Sequence, residues 1–294
     1  MHLSLNNVSK AYAGRRVLHG IGAAFSRGEV VGVVGDNGAG KSTLLNCLAG
    51  SLNYQGQITL DAMDLRSIRN VVGAMPTEFP GETSWTVGQH LDAIALLKHA
   101  DRRHIDYRIE QLGLADVRRR RVRDLSVGMR QRVKWLSCFL GNPDVLLLDE
   151  PTSGLSAAVH DEFFRDVQTA VGRGAVVMLS THSSVELRRC ANRILVLRRG
   201  SVAFDGSLRD YERMAGGSTV MIRVGDLDVP ALCMALGDSA IARDGGQIAV
   251  RDFDEAKVGS IAHSLGIAVL GLATEGPPDL VAFASALAEG AAGR

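Results

Sequence analysis

The densest chemistry in the chain lies in Gly35-Asp36-Asn37-Gly38-Ala39-Gly40-Lys41-Ser42-Thr43. The stretch matches the pattern G-x-x-x-x-G-K-[ST], with an apolar run before it and a helical pattern after it. Glycines at these positions let consecutive backbone N–H groups curl around phosphate oxygens, and a following helix adds the positive end of its dipole. Lys41 supplies a charge for β- and γ-phosphates, and the Ser42 hydroxyl is suited to Mg²⁺. A second group is Asp149-Glu150, closing the apolar run Val145-Leu146-Leu147-Leu148. Placed beside a phosphate loop, the first carboxylate can hold the Mg²⁺ shell and the second can polarise a water aimed at the γ-phosphate. Ser180-Thr181-His182 ends another apolar run and brings a histidine to the same place. Together these residues predict a nucleoside triphosphate site.

Such a site needs strands to aim its loops. The runs VVGVVG, VLLLD and AVVMLS are apolar without alternation, as in parallel strands buried on both faces. Strands are expected at Leu3–Val8, Glu29–Gly35, Gly56–Leu60, Asn70–Met75, Val145–Asp149, Ala175–Ser180 and Arg193–Arg198, with helices at Lys41–Ala49 and Val127–Leu140. Strands alternating with helices imply an α/β fold with a mostly parallel central sheet. A boundary is expected at Ala215-Gly216-Gly217-Ser218, dividing a domain over 1–215 from a small α/β domain over 216–294. In the latter, strands are expected at Ser218–Val224, Ile241–Arg243, Gln247–Val250 and Ile267–Leu272, and helices at Pro230–Leu236 and Asp254–Leu265. Leu280, Phe283, Ala284 and Leu287 then form a stripe at helical spacing that needs a surface to bury itself on.

Composition narrows the classes. Of the chain's 294 residues 46% are hydrophobic and 22% charged, and 33 Lys and Arg face 32 Asp and Glu for a net charge of +1. This balance argues against a nucleic-acid-coating protein. The basic run Arg118–Arg121 with Arg123 has no interleaved aromatics to stack bases, and is read as a solvated ridge, with lipid head groups or a membrane partner as alternatives. No run of about 18 apolar residues spans a bilayer, and the N-terminal residues lack the layout of a signal peptide. Cys47, Cys138, Cys190 and Cys233 sit singly in apolar segments without metal-ligand spacing, as reduced core residues of a cytosolic protein do. Arginines and a lysine around His99 and His104 argue against a metal there.

With these motifs in place the chain resembles the ATP-binding cassette (ABC) family over roughly residues 1–212. Leu125-Ser126-Val127-Gly128-Met129-Arg130-Gln131-Arg132 is similar to the family signature, and it precedes the Asp149-Glu150 pair and the switch histidine His182 in the family's order. Tyr12 matches the aromatic that stacks on adenine, and Pro151-Thr152-Ser153-Gly154-Leu155 matches the segment after the catalytic glutamate. The absence of an Asn-Lys-x-Asp base-reading motif disfavours GTP. The resemblance implies a P-loop NTPase with a signature-bearing helical subdomain at about 77–140, and ATP and Mg²⁺ as ligands. It also implies two cassettes, identical or different, closing head to tail over two ATP molecules. Gly35, Asn37, Gly38, Ala39, Gly40, Lys41, Ser42 and Thr43 would hold the phosphates. Ser42 and Asp149 would hold Mg²⁺, Glu150 would be the base and His182 would stabilise the transition state. Ser126 and Gly128 would complete the partner cassette's site.

Biologically, the resemblance implies the ATPase subunit of a bacterial exporter. It would be cytoplasmic, and peripheral on the inner face of the membrane through a separate polytopic permease. The C-terminal domain is similar in plan to the short extension of exporter-type cassettes, where Pro277-Pro278-Asp279-Leu280 and Phe283 partly match a recurring helix. It is read as a dimer contact. The alternatives are a soluble or regulatory ABC ATPase with slow hydrolysis, or the degenerate half of a heterodimeric pair. Three departures from the family raise them. Thr77, then Glu78, follow Ala74-Met75-Pro76 where the family has Gln; Val127 replaces a signature glycine; Ser156 replaces an aspartate. Thr77 is too short to reach both Mg²⁺ and the attacking water, leaving Glu78 or a bridging water to substitute.

Overall fold

The computed structural model describes residues 2–215, 219–251, 253, 255–275 and 279–289. The expected boundary glycines Gly216 and Gly217, Ser218, Asp254, Pro277 and Pro278 lie outside the described residues, as does the side chain of His104. Two compact units are present, one over Met1–Ser207 together with Leu287–Arg294 and a second over Leu208–Ala286. One short helix thus separates this division from the glycine pair.

The first unit opens with a hairpin, β1 (His2–Tyr12) and β2 (Arg15–Ser26). Its two-residue turn, Ala13-Gly14, holds φ at 46° and 82°, the doubly positive conformation whose twist matches a hairpin. In order there follow β3 (Val30–Val34), α1 (Lys41–Leu48), β4 (Gln55–Leu60), β5 (Met63–Asp64) and β6 (Val72–Met75). Next come α2 (Val87–Leu97), α3 (Arg102–Gln111), α4 (Val127–Phe139), β7 (Val145–Asp149), α5 (Ala157–Gly172), β8 (Val176–Ser180), α6 (Ser184–Cys190), β9 (Arg193–Arg198) and β10 (Ser201–Ser207). A six-stranded sheet runs β10-β9-β3-β8-β7-β6, parallel except for β10, and an antiparallel sheet runs β2-β1-β4-β5. Every residue of β3, β7 and β8 is buried, so their unbroken apolar runs are a two-faced core position written in sequence. Leu44, Leu48 and the β1–β2 apolar residues cover one face, and α4 and α5 the other.

The helices of this layer are tied to one another by polar contacts as well as by packing. Trp135 of α4 meets Phe163 of α5 edge-on at 5.4 Å. Its indole N–H donates to Asp166 (2.9 Å), which also pairs with Arg108 of α3. Burial pushes the Asp166 carboxyl up, and the Arg108 guanidinium opposes that shift. On α2, His90 is 2% exposed. Its Nε2 lies 3.0 Å from Ser137 Oγ, and its ring lies 4.7 Å from Phe79. Ser137 spends its proton on the Val133 carbonyl, so it can only accept from His90, which fixes the neutral Nε2–H tautomer.

The second unit begins with α7 (Leu208–Met214) and runs β11 (Thr219–Arg223), α8 (Val229–Leu236), β12 (Ala240–Arg243), β13 (Gln247–Arg251), α9 (Glu255–Ser264), β14 (Gly271–Glu275) and α10 (Leu280–Glu289). The sheet order β12-β13-β11-β14 is antiparallel throughout, and β11 through β14 form a split βαβ arrangement. The last strand differs from the expected Ile267–Leu272. Gly266 (φ 71°) turns the chain out of α9, Ile267 plugs the core beside Leu232 and Val258, and pairing with β11 begins only at Gly271. The apolar stripe of α10 finds its surface within this unit: Leu280 and Ala284 are buried, Phe283 packs on Tyr211, and the Tyr211 hydroxyl donates to the Leu280 carbonyl.

Burial lowers the His90 pKa from 6.5 to about 4. Because the folded ring stays neutral, its stabilisation is complete above pH 6.5 and declines as pH falls, until the folded protein also protonates near pH 4. The loss over that window amounts to at most about 3 kcal/mol. Denaturant midpoints measured across it are expected to fall less steeply for His90→Gln than for the parent chain.

Candidate functional site

The phosphate loop joins β3 to α1, and its shape is dictated by glycine. Gly35 (φ 144°) passes so close to β9 that a Cβ would sit 2.2 Å from the Leu197 carbonyl. Gly40 (φ 106°) caps α1 in a left-handed conformation with no side-chain hydrogen bond to the helix, leaving first-turn N–H groups available to an anion. The β9–β10 turn braces the loop from behind: the Gly200 N–H donates to the Ala39 carbonyl, and the His19 N–H to the Gly200 carbonyl. Lys41 arches over it, its Nζ donating to the carbonyls of Gly35 (2.7 Å) and Asp36 (3.1 Å). Burial lowers the Lys41 pKa, and the charges of Glu150, Asp149 and Asp36 oppose that shift.

A cavity of about 800 Å³ opens in front of the loop. Its walls include Asn37, Gly38, Gly40, Lys41, Ser42 and Thr43, with Asp149, Glu150 and His182 at the ends of β7 and β8 and Tyr12 at the β1 end. Of the expected site residues, Gly35, Ala39, Ser126 and Gly128 are not among its walls. Gly35 acts through its carbonyl, whereas the Ala39 methyl is buried in the core. Ser126 caps α4, accepting from the Met129 N–H at 3.3 Å. Gly128 packs so closely that a Cβ would lie 2.9 Å from the Gly154 carbonyl. Tyr12 is 43% exposed, and Lys10 Nζ lies 4.9 Å from its ring centre.

The strand ends are densely partnered. Asp149 accepts from the Ser180 hydroxyl on one carboxylate oxygen (2.5 Å) and from the Thr77 hydroxyl on the other (2.7 Å). Each oxygen keeps a further lone pair, and hydroxyl plus carboxylate oxygen is the hard donor set that Mg²⁺ prefers, so Ser42 and Asp149 fit that ion. Glu150 holds φ at 50°, rare for a residue with a side chain and a sign of local strain. Its N–H donates to the Ser180 carbonyl, and its carboxylate lies 3.3 Å from His182 Nε2. Burial raises the Glu150 pKa, the His182 charge lowers it, and the neighbouring carboxylates Asp149 and Glu186 raise it further.

Several participants were not anticipated. Gln131 of α4 donates to the carbonyls of Glu150 (3.2 Å) and Pro151 (2.6 Å). Lys134, one turn on, donates to the carbonyls of Pro76 and Thr77. With Ser137 they form a buried polar row at i, i+3, i+6 beside the apolar Val133 and Leu136, a spacing visible in the sequence. Glu186 accepts from Thr152 and Thr181, joining the segment after Asp149-Glu150 to the histidine strand end. Arg15, Arg16, His19 and Arg199 also line the cavity, and nothing in their spacing signals it. Glu78 lines a neighbouring cavity of about 460 Å³, with Thr77, Val127, Lys134 and Glu150.

Lys41→Met removes a buried cation that lies against the loop. A charge-assisted hydrogen bond contributes about 1.5–3 kcal/mol, so nucleotide affinity is expected to fall roughly 10- to 100-fold in a fluorescent-nucleotide titration, with the fold retained by circular dichroism.

The geometry agrees with comparison to known proteins. Residues 18–153 match the family described as ABC transporter. The chain is 31% identical over 227 residues to the daunorubicin resistance ATP-binding protein DrrA3 of Streptomyces coeruleorubidus, spanning 74% of this chain and 72% of that one. It is 31% identical over 211 residues to the ABC transporter ATP-binding protein NatA of Bacillus subtilis, spanning 67% and 85%. A solved structure of an ATP-binding subunit of an ABC transporter superposes with a TM-score of 0.67 at 25% identity, covering 74% of this chain and 94% of that one. Phosphate loop, paired carboxylates and strand-end histidine thus meet in one cavity, in a chain that belongs to the ABC transporter family, as an ATP-binding subunit.

Proposed function

We propose that the chain hydrolyses ATP, with Mg²⁺, to drive a separate membrane permease, and that it does so as a head-to-tail pair of cassettes. The observation that carries the reading is the meeting of Lys41 and Ser42 with Asp149, Glu150 and His182 around one cavity. In the proposed reaction the loop N–H groups and Lys41 bind the β- and γ-phosphates, and Tyr12 stacks on adenine. Glu150 Oε accepts a proton from the water that attacks the γ-phosphorus, and His182 stabilises charge on the departing phosphoryl group. Bound Mg²⁺ neutralises charge developing on the phosphate oxygens, and Ser42 and Asp149 are the residues that would hold it. Burial makes Glu150 a stronger base than an exposed carboxylate. The acid limb of the turnover profile should therefore lie above the ordinary glutamate range.

Ser126 and Gly128 sit at the N-terminus of α4, outside the chain's own cavity. That placement supports their completing the site of a second cassette. Among the described residues no helix is long and apolar enough to cross a membrane, so a transport role calls for a permease on another chain, with this one on its cytoplasmic side. The drug-resistance name of DrrA3 supports export as the direction. The second unit is proposed to be an accessory domain that strengthens the cassette pair.

Glu150→Gln should reduce turnover by 100-fold or more, the order of effect of a lost general base, while ATP binding persists. Affinity capture of that variant from detergent-solubilised membranes, with ATP and Mg²⁺, is expected to recover a polytopic membrane protein. Recovery of ribosomal or DNA-bound proteins without one would overturn the transport reading. A chain ending at Ser207 is expected to pair more weakly with ATP than the full chain in analytical ultracentrifugation.

A further inference from the structure

Thr77 stands where the sequence departs from the family pattern, yet its hydroxyl is one of two that hold Asp149. The segment carrying it has left the sheet, since β6 ends at Met75 and its ladder with β7 ends at Met75↔Leu148. The carbonyls of Pro76 and Thr77 therefore have no strand to accept from. Lys134 meets both, its Nζ donating at 2.9 Å to each. The residue is 5% exposed and comes from the middle of α4. An ammonium has three donors and no acceptor, which suits a corner made of converging carbonyls. A buried cation is costly unless it is partnered. Burial does lower the Lys134 pKa, and the Asp149 charge opposes that shift.

Lys134 and Gln131 lie three residues apart on one face of α4 and perform parallel tasks. Gln131 grips the carbonyls of Glu150 and Pro151 at the end of β7, and Lys134 grips those beyond β6. The helix whose first residues carry the signature is thus bonded to both sides of the Asp149-Glu150 corner. We propose that Lys134 is a positioning residue for the reaction: by clamping the Pro76 and Thr77 carbonyls it holds the Thr77 hydroxyl on Asp149, and so sets the orientation of the carboxylate toward the cation. Thr77 and Lys134 together then replace, by a fixed corner, part of what a longer side chain at position 77 would do. The inference rests on the proposed use of ATP with Mg²⁺ in this cavity.

The test compares Lys134→Met, Thr77→Val and the double variant. Loss of one buried hydrogen bond contributes about 1 kcal/mol, roughly a fivefold change in an equilibrium constant. Each single variant is expected to raise the Mg²⁺ concentration for half-maximal hydrolysis by about three- to tenfold. Binding of a fluorescent ATP analogue in EDTA should stay within about twofold of the parent. The double variant should be no worse than the poorer single one, because both act through one contact. Amide exchange over residues 77–79, measured without metal or nucleotide, should quicken in Lys134→Met. If that variant does not fold, Lys134→Gln carries the same test, since its shorter amide keeps a buried donor but cannot span both carbonyls.

Multiplying effects in the double variant would overturn the proposal. So would a loss of turnover or EDTA binding with the Mg²⁺ requirement unchanged. The parent chain separates this from the underlying reading: a parent with no Mg²⁺-dependent hydrolysis removes the reaction itself, whereas a normal parent beside an unshifted Lys134→Met removes only the role of Lys134.

Discussion

Two carboxylates at the end of a buried parallel strand are the constraint around which the first unit is arranged. Asp149 is almost wholly enclosed, and an enclosed carboxylate that lacks partners destabilises a fold by several kcal/mol. The surrounding elements meet that demand in different ways. Strand β8 contributes Ser180, the end of β6 contributes Thr77, and the phosphate loop contributes the charge of Lys41. Glu150 is satisfied less completely, with a strained backbone and a raised pKa. The pair thus sets a carboxylate held by two hydroxyls beside one whose pKa is raised by burial.

The departures from the family pattern acquire physical content once the contacts are known. Thr77 is engaged with Asp149. Val127 is 61% exposed at the first position of α4, with a methyl close to the place where a Gly154 side chain would begin. Ser156 occupies the N-cap of α5 without making a capping hydrogen bond, so its substitution leaves the helix start unsupported at a point where an aspartate would favour the dipole. Of the three, only Thr77 touches the paired carboxylates, and it does so with a hydrogen bond in good geometry.

Much of the site is legible in sequence because phosphate chemistry demands particular residues at fixed spacing. The strands β3, β7 and β8 are legible because burial on both faces removes every polar position. The long strand β2 is not, because positive φ values at Asn7 and Gly20 accompany register shifts against β1 and break the alternation that would mark it. Lys134 and Gln131 look like ordinary polar residues on a helix; that they face inward depends on which side of α4 meets the sheet, a tertiary fact. The cavity-lining Arg199 is harder still, since a hairpin turn brings it there from beyond the histidine strand. Residues contributed by long-range packing carry no local signature.

The bracing of the phosphate loop has a kinetic meaning. Its Ala39 carbonyl is occupied by Gly200, its Gly35 and Asp36 carbonyls by Lys41, and its glycines already hold their unusual angles. The ordering entropy of the loop is therefore spent when the chain folds rather than when a phosphate arrives. In the proposed binding mode, what remains at the moment of capture is desolvation and a handover, in which the Lys41 ammonium would exchange backbone carbonyls for phosphate oxygens. Release reverses the same handover. Nucleotide would then come and go through a mould that keeps its shape, and the larger conformational work of the proposed cycle would be left to the elements beyond it.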